Sequence, residues 1–225
     1  MANFKTYHNC VTMKQTTLEI FEKLFSRRPE LADAKESILQ AFEAIAETFC
    51  RGGVLYVCGN GGSAADSEHI VGELMKSFKK KRPVSDEDRS ILMEKFGESG
   101  RSLSLSLEYA LPAVSLCSGI SLNTAVCNDT DPANVYAQQL FGLGRAGDCL
   151  LAISTSGNAE NCIRAAMVAL LKNMSVIGLT GESGGRIKTI SDVCVCVPSN
   201  ETYAVQELHL PIYHCLCAML EEEFF

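Results

Sequence analysis

The chain has 225 residues, 47% of them hydrophobic and 21% charged, with a formal net charge of −7. That balance suits one globular domain and excludes long disorder. A net negative chain offers no broad basic field for nucleic acid, although a single loop can still hold a small anion.

Eleven cysteines, an odd number with no Cys-x-x-Cys pair, read as reduced apolar thiols and not as a secreted disulfide framework. The start, MANFKTYHNC, has no charged segment followed by an apolar core, and no apolar run reaches bilayer length. The expectation is a soluble cytoplasmic protein with no membrane partner.

In chain order, residues 14–28 read as an amphipathic helix ending near Arg27-Arg28-Pro29. Leu31, Ala34, Ile38, Phe42, Ile45 and Phe49 recur at three- and four-residue steps, a second helix closed by Gly52-Gly53. Short apolar runs at 54–58, 113–117, 149–153, 175–179 and 193–197 then alternate with helical patterns at 64–78, 132–143, 158–172 and 202–222. This alternation predicts an α/β fold: a three-layer α-β-α sandwich around a five-stranded parallel sheet, preceded by N-terminal helices. The expected organisation is a single domain over 1–225, with a helical arm over 1–52 and an insertion over 79–110. The insertion is dense in mixed charge and reads as one or two short helices, serving as a solvated surface arm, a lid or an oligomer contact.

Gly59-Asn60-Gly61-Gly62-Ser63-Ala64 follows the first apolar run and opens a helix. It satisfies the dinucleotide pattern G-x-G-x-x-G/A, but the acid needed about 20 positions on is replaced by Lys79-Lys80-Lys81-Arg82. The lysine of a P-loop is missing too, so no nucleotide cofactor is expected. Two readings remain for this loop: a packing turn, or an anion site in which Ser63 caps the helix and glycine N–H groups stay open. A second loop, Ser154-Thr155-Ser156-Gly157-Asn158, places three hydroxyls before another helix, and Thr180-Gly181 with Gly184-Gly185 repeats the theme more weakly. In a parallel sheet these loops share the carboxyl edge, where such folds bind ligands. Together they point to a phosphorylated small molecule.

His69 and Glu73 stand at i and i+4 on the helix after Ser63. Such a pair is a surface ion pair, a carboxylate base beside an imidazole, or two metal ligands. The last helical pattern carries Gln206, His209 and His214, with Pro211 inside it, where a proline removes a backbone bond and bends a helix. His209 reads equally as a buried hydrogen-bonded histidine or as a ligand.

The ordered segments CGNGGSAADSEH, CND at 127–129, AGDCLLAISTSGN, VIGLTGESGG and VQELHLPIYH resemble the sugar isomerase (SIS) domain. More narrowly, they are similar to the phosphoheptose isomerases, which interconvert sedoheptulose 7-phosphate and D-glycero-D-manno-heptose 7-phosphate. The resemblance covers nearly the whole chain outside 79–110 and implies a flavodoxin-like SIS fold. It implies Glu73 as general base and His214 as acid, acting through an enediol. His69, Glu73, Gln206 and His214 match the zinc ligands of some members. Asn60, Gly61, Gly62 and Ser63 match the substrate loop, Asn128 and Asp129 a second substrate contact, and Ser154, Thr155 and Ser156 the phosphate cradle; Gln206 joins the substrate set. The resemblance also implies a homotetramer with active sites at subunit boundaries. Three departures stand out: Ala159 where the isomerases usually carry serine, Tyr203 where some carry aspartate, and the long 79–110 segment. A non-catalytic SIS adaptor that binds a phosphosugar or the bacterial replication initiator is the competing class. Such adaptors lack counterparts of Glu73 and His214.

Overall fold

A computed structural model describes residues 13–225; the MANFKTYHNC start, the first part of the expected 1–52 arm, lies outside the described residues. Helices α1 (Gln15–Arg27) and α2 (Lys35–Cys50) flank a 3-10 turn, Pro29–Ala34. Strand β1 (Leu55–Cys58), α3 (Gly62–Met75), α4 (Asp86–Ser106), β2 (Ala113–Ser115), α5 (Ile120–Asp129) and α6 (Val135–Leu143) follow. Then come β3 (Cys149–Ser154), α7 (Glu160–Leu171), β4 (Ser175–Thr180), β5 (Val193–Cys196) and α8 (Thr202–Phe224).

The five strands form one parallel sheet in the order β2-β1-β3-β4-β5. Alternate residues feed two cores. Leu55, Val57, Leu151, Ile153, Ile177 and Leu179 face α1, α2, α3 and α8. Tyr56, Cys58, Leu150, Ala152 and Val176 face α5, α6 and α7. Burial on both faces explains why these strands read as continuous apolar runs instead of alternating ones. The two N-terminal helices complete a covering layer: Phe42 and Ile45 of α2 reach the sheet core, and α1 lies along α8.

The strand order reverses between β1 and β3, so the loops after these two strands open a crevice at the carboxyl edge. The expected helix at 132–143 is a 3-10 turn, Pro132–Asn134, followed by α6, because Pro132 sets the chain direction there. Helix α5 is an addition to the expected elements. The expected helix 64–78 begins earlier, at Gly62, and ends at Met75. The 79–110 segment holds α4, broken at Gly97, whose φ of 56° and ψ of −134° interrupt the helix. Within α4 only Gly100 and Ser104 are buried, and Arg82 is buried ahead of it. No helix among the described residues is long and apolar enough to cross a membrane. All ten cysteines among the described residues are free, five of them buried, although Cys127 is exposed.

Candidate active site

Two loops meet across the crevice. Asn60, after β1, and Asn161, in the first turn of α7, exchange side-chain hydrogen bonds of 2.9 and 2.8 Å. Tyr136 donates its hydroxyl to the Gly59 carbonyl and to Asn60 Oδ1, tying the first loop to α6. The first loop corrects one expectation. Ser63 does not cap α3; it is buried inside the first turn, and Gly61 holds the capping position with φ 56°. A helix starting at glycine leaves its first N–H groups unobstructed. Gly62 lies so close to Gln206 that a Cβ there would stand 2.6 Å from the Gln206 amide nitrogen.

In the second loop Ser154 is buried, Thr155 half-buried and Ser156 exposed. Ala159 occupies the capping position of α7 and has no hydroxyl to offer the N–H groups of the first turn; its own N–H donates to Ser154 Oγ at 3.4 Å. Ser156 Oγ accepts from Asn158 N–H at 3.1 Å. The third loop buttresses the second. Gly181 N–H donates to the Thr155 carbonyl at 2.9 Å, and Gly184 and Gly185 pack against the backbone of Ser156 and Gly157. These glycines serve close backbone approach.

The titratable groups meet where α3 packs on α8. His69 Nε2 stands 3.1 Å from Glu73 Oε1 and 3.4 Å from His214 Nε2. The His69 side chain is 43% exposed and that of Glu73 only 15%. The His214 pKa is lowered, first by burial and then by His69, against the pull of Glu73. Phe78 lies 5.7 Å from the His214 ring. A cavity of about 400 Å³ opens beside His214, lined by Lys23, Arg27, Arg28, Lys79 and Pro211 among others. None of the loop residues contributes to its wall. His209 is buried away from this group. Neither ring nitrogen has a partner at good hydrogen-bond geometry, the Thr180 backbone being the polar group that faces the ring, and burial lowers its pKa to about 4 against that backbone.

Asn128 and Asp129 sit exposed at the end of α5, hydrogen-bonded to each other at 2.7 Å and to neither loop. Two neighbours of His69 carried no signal in the sequence reading. His69 Nδ1 lies 3.1 Å from the Tyr213 hydroxyl, which donates to Asp66 Oδ1 at 3.1 Å. Asp66 precedes His69 by one helical turn, a spacing that would have paired them. Its pKa is raised by burial, with Tyr213 and His69 opposing.

The donor set of His69, Glu73 and His214 suits zinc, which takes nitrogen and oxygen ligands at about 2.0–2.2 Å. Two ligands of one tetrahedral ion then stand roughly 3.2–3.6 Å apart; of the separations at His69 Nε2, 3.4 Å to His214 lies in that range and 3.1 Å to Glu73 just below it. No closed cluster of three or more such side chains is formed among the described residues, so any ion would draw them inward.

The SIS domain family model matches residues 22–88 and 89–181. A phosphoheptose isomerase of a Roseiflexus species is 35% identical over 207 residues, covering 92% of each chain. One from Shewanella baltica is 34% identical over 217 residues, 95% of this chain and 97% of its own. A solved phosphoheptose isomerase from Francisella tularensis superposes with a TM-score of 0.71 at 31% identity, over 92% of this chain and 97% of that one. The Neisseria gonorrhoeae enzyme gives 0.67 at 32%, over 89% and 98%.

Proposed function

Because the chain belongs to the SIS domain family, and within it to the phosphoheptose isomerases, we propose that it interconverts sedoheptulose 7-phosphate and D-glycero-D-manno-heptose 7-phosphate. The observation that carries this reading is the convergence of Glu73, His69 and His214 on neighbouring helix turns, beside two glycine- and hydroxyl-rich loops at one sheet edge.

Aldose–ketose exchange moves a proton between adjacent carbons through an enediol, and needs a base for the C–H proton and an acid at the oxygen. Glu73 takes the carbon-bound proton. His214 supplies the acid. The Ser154–Ser156 hydroxyls and the open N–H groups before α3 and α7 hold the phosphate, remote from the reacting carbons. Asn60 and Gln206 border the sugar in this reading, with Asn128 and Asp129 given a second contact by the family resemblance alone. Zinc, held by His69, Glu73, His214 and Gln206, would polarise the carbonyl as a Lewis acid. The assembly in this reading is a homotetramer with sites at subunit boundaries, which sedimentation would measure; exposed Phe96, Leu105, Ile120 and Phe141 are apolar surface that association would cover.

The test is conversion of sedoheptulose 7-phosphate followed by NMR, with metal content measured on the same protein. Glu73→Gln and His214→Ala should each lower turnover at least about a hundredfold. Full activity in both variants would refute the assignment.

A further inference from the structure

We propose that Tyr213 and Asp66 are positioning residues that fix the ring tautomer of His69, holding its proton on Nδ1 and turning a bare Nε2 toward Glu73 and His214. The consequence for catalysis rests on the isomerase reading above; the hydrogen-bond argument does not.

The argument is one of donors and acceptors. The Tyr213 hydroxyl has a single proton, and an ionised carboxylate can only accept. Tyr213 donates that proton to Asp66 Oδ1 at 3.1 Å. The other Asp66 oxygen is buried without a partner, so this hydrogen bond is the one its side chain makes among the described residues. With its proton committed, the Tyr213 oxygen faces His69 Nδ1 at 3.1 Å as an acceptor, and Nδ1 must be the donor. A neutral imidazole protonated at Nδ1 has its lone pair on Nε2. That nitrogen stands 3.4 Å from His214 Nε2 and 3.1 Å from Glu73 Oε1, a carboxylate oxygen that also only accepts, so the two facing acceptors make a place for a cation and not a hydrogen bond.

Two features make this more than incidental contact. Tyr213 is 1% exposed whereas the His69 side chain is 43% exposed, so a rigid buried group orients a ring that water would otherwise leave free to turn. The Tyr213 ring also packs edge-on against both imidazoles, 5.5 Å from His69 and 5.0 Å from His214. The bare Nε2 has two uses. It accepts a proton held on His214 Nε2, which fixes where the acid carries it. It also presents a metal-ready nitrogen backed, through Tyr213, by a carboxylate, the outer support that raises ligand basicity.

The experiment uses full-length, metal-free protein with ¹⁵N-labelled histidine, read by long-range ¹H–¹⁵N correlation at pH 8.5. The chain has four histidines, and His69→Gln assigns the relevant signal. The expected wild-type pattern is His69 protonated at Nδ1. Tyr213→Phe keeps the ring and removes the oxygen; it should shift His69 to a mixture rich in Nε2–H. Asp66→Leu frees the Tyr213 proton for Nδ1 and should move His69 to Nε2–H. Zinc affinity, measured against a chromogenic chelator, should fall about tenfold in each variant. An unchanged signal from buried His209 reports an intact fold. His69 protonated at Nε2 in the wild type overturns the proposal, as does Nδ1–H retained in both variants. Every readout is made without substrate, so an inactive protein with the expected tautomers would sink the isomerase reading and leave this one standing.

Discussion

Replacing Arg82 with methionine should destabilise the protein sharply. The Arg82 side chain is 0% exposed and that of Glu221 1%. Arg82 Nε donates to Glu221 Oε1 at 2.9 Å, Nη1 to the Leu74 carbonyl at 2.7 Å and Nη2 to the Glu73 carbonyl at 3.1 Å. Glu221 also accepts the N–H groups of Phe78, Lys79 and Lys80 at 2.9, 2.7 and 3.0 Å. Methionine fills most of the volume but leaves a buried carboxylate without its counter-charge and the Glu73 carbonyl without the Arg82 donor, while the Leu74 carbonyl keeps the Leu111 N–H at 3.0 Å. Breaking one side of a buried pair costs about 3–5 kcal/mol. At about 2–4 °C per kcal/mol for a chain of this size, Tm should fall by roughly 6–20 °C. Calorimetry at matched protein concentration measures it, since assembly also shifts Tm. Arg82→Met with Glu221→Met should lose less than the sum of the two single changes, because the stranded charge is gone. Recovery stays partial, as the three N–H groups then lack an acceptor. A single-variant loss under about 2 °C, or strict additivity, would refute the reasoning.

Gly157→Ala should raise KM for the sugar phosphate at least about tenfold, because Gly157 has φ 65° and a Cβ there would overlap the Gly184 carbonyl. An unchanged KM would detach the Ser154–Ser156 loop from phosphate binding. Glu221 predicts the acid limb of stability. Burial alone would raise its pKa, yet the N–H groups of Phe78 and Lys79, Arg82 and the Lys80 N–H outweigh it and hold the pKa below the ordinary value. The folded pKa is the depressed one, so this stability is full above the unfolded pKa of about 4.3 and is lost as pH falls through the folded value. Glu221→Gln should therefore flatten the decline of Tm at acid pH. An acid limb as steep as the wild type's would contradict it.

The sheet was legible because parallel strands, buried on both faces, leave apolar runs; all five runs fall within a residue or two of β1, β2, β3, β4 and β5. Helix α5 was not. ISLNTAVCND buries only Val126, so no apolar stripe marks it. The start of α3 was misread for a different reason: a serine beside a glycine turn looks like a cap, whereas the positive φ of Gly61 already begins the helix. His69 and Glu73 showed as a pair through their four-residue spacing. Tyr213 and Asp66 did not, since one reads as a core residue of an apolar helix and the other as one more polar position. Only the packing of two distant helices gives either a partner.

That packing has a fixed register. Gln206 meets Gly62, Tyr213 meets Asp66 and His69, and Glu221 meets the backbone after α3 at Phe78. The contacts ascend together along both helices, so α3 and α8 run side by side in the same direction. A parallel pair carries its functional positions forward in step. The N-terminal turn of α3, which borders the 59–62 loop, therefore faces the start of α8, and His69, Glu73 and His214 follow about two to three turns later. The buried Arg82–Glu221 pair closes the far end. Sliding α8 by a single turn, 5.4 Å, would separate His214 from His69 and Gln206 from Gly62 at once. The glycine at position 62 and the buried ion pair thus hold the two ends of the register that sets the spacing of Gln206, His69 and His214.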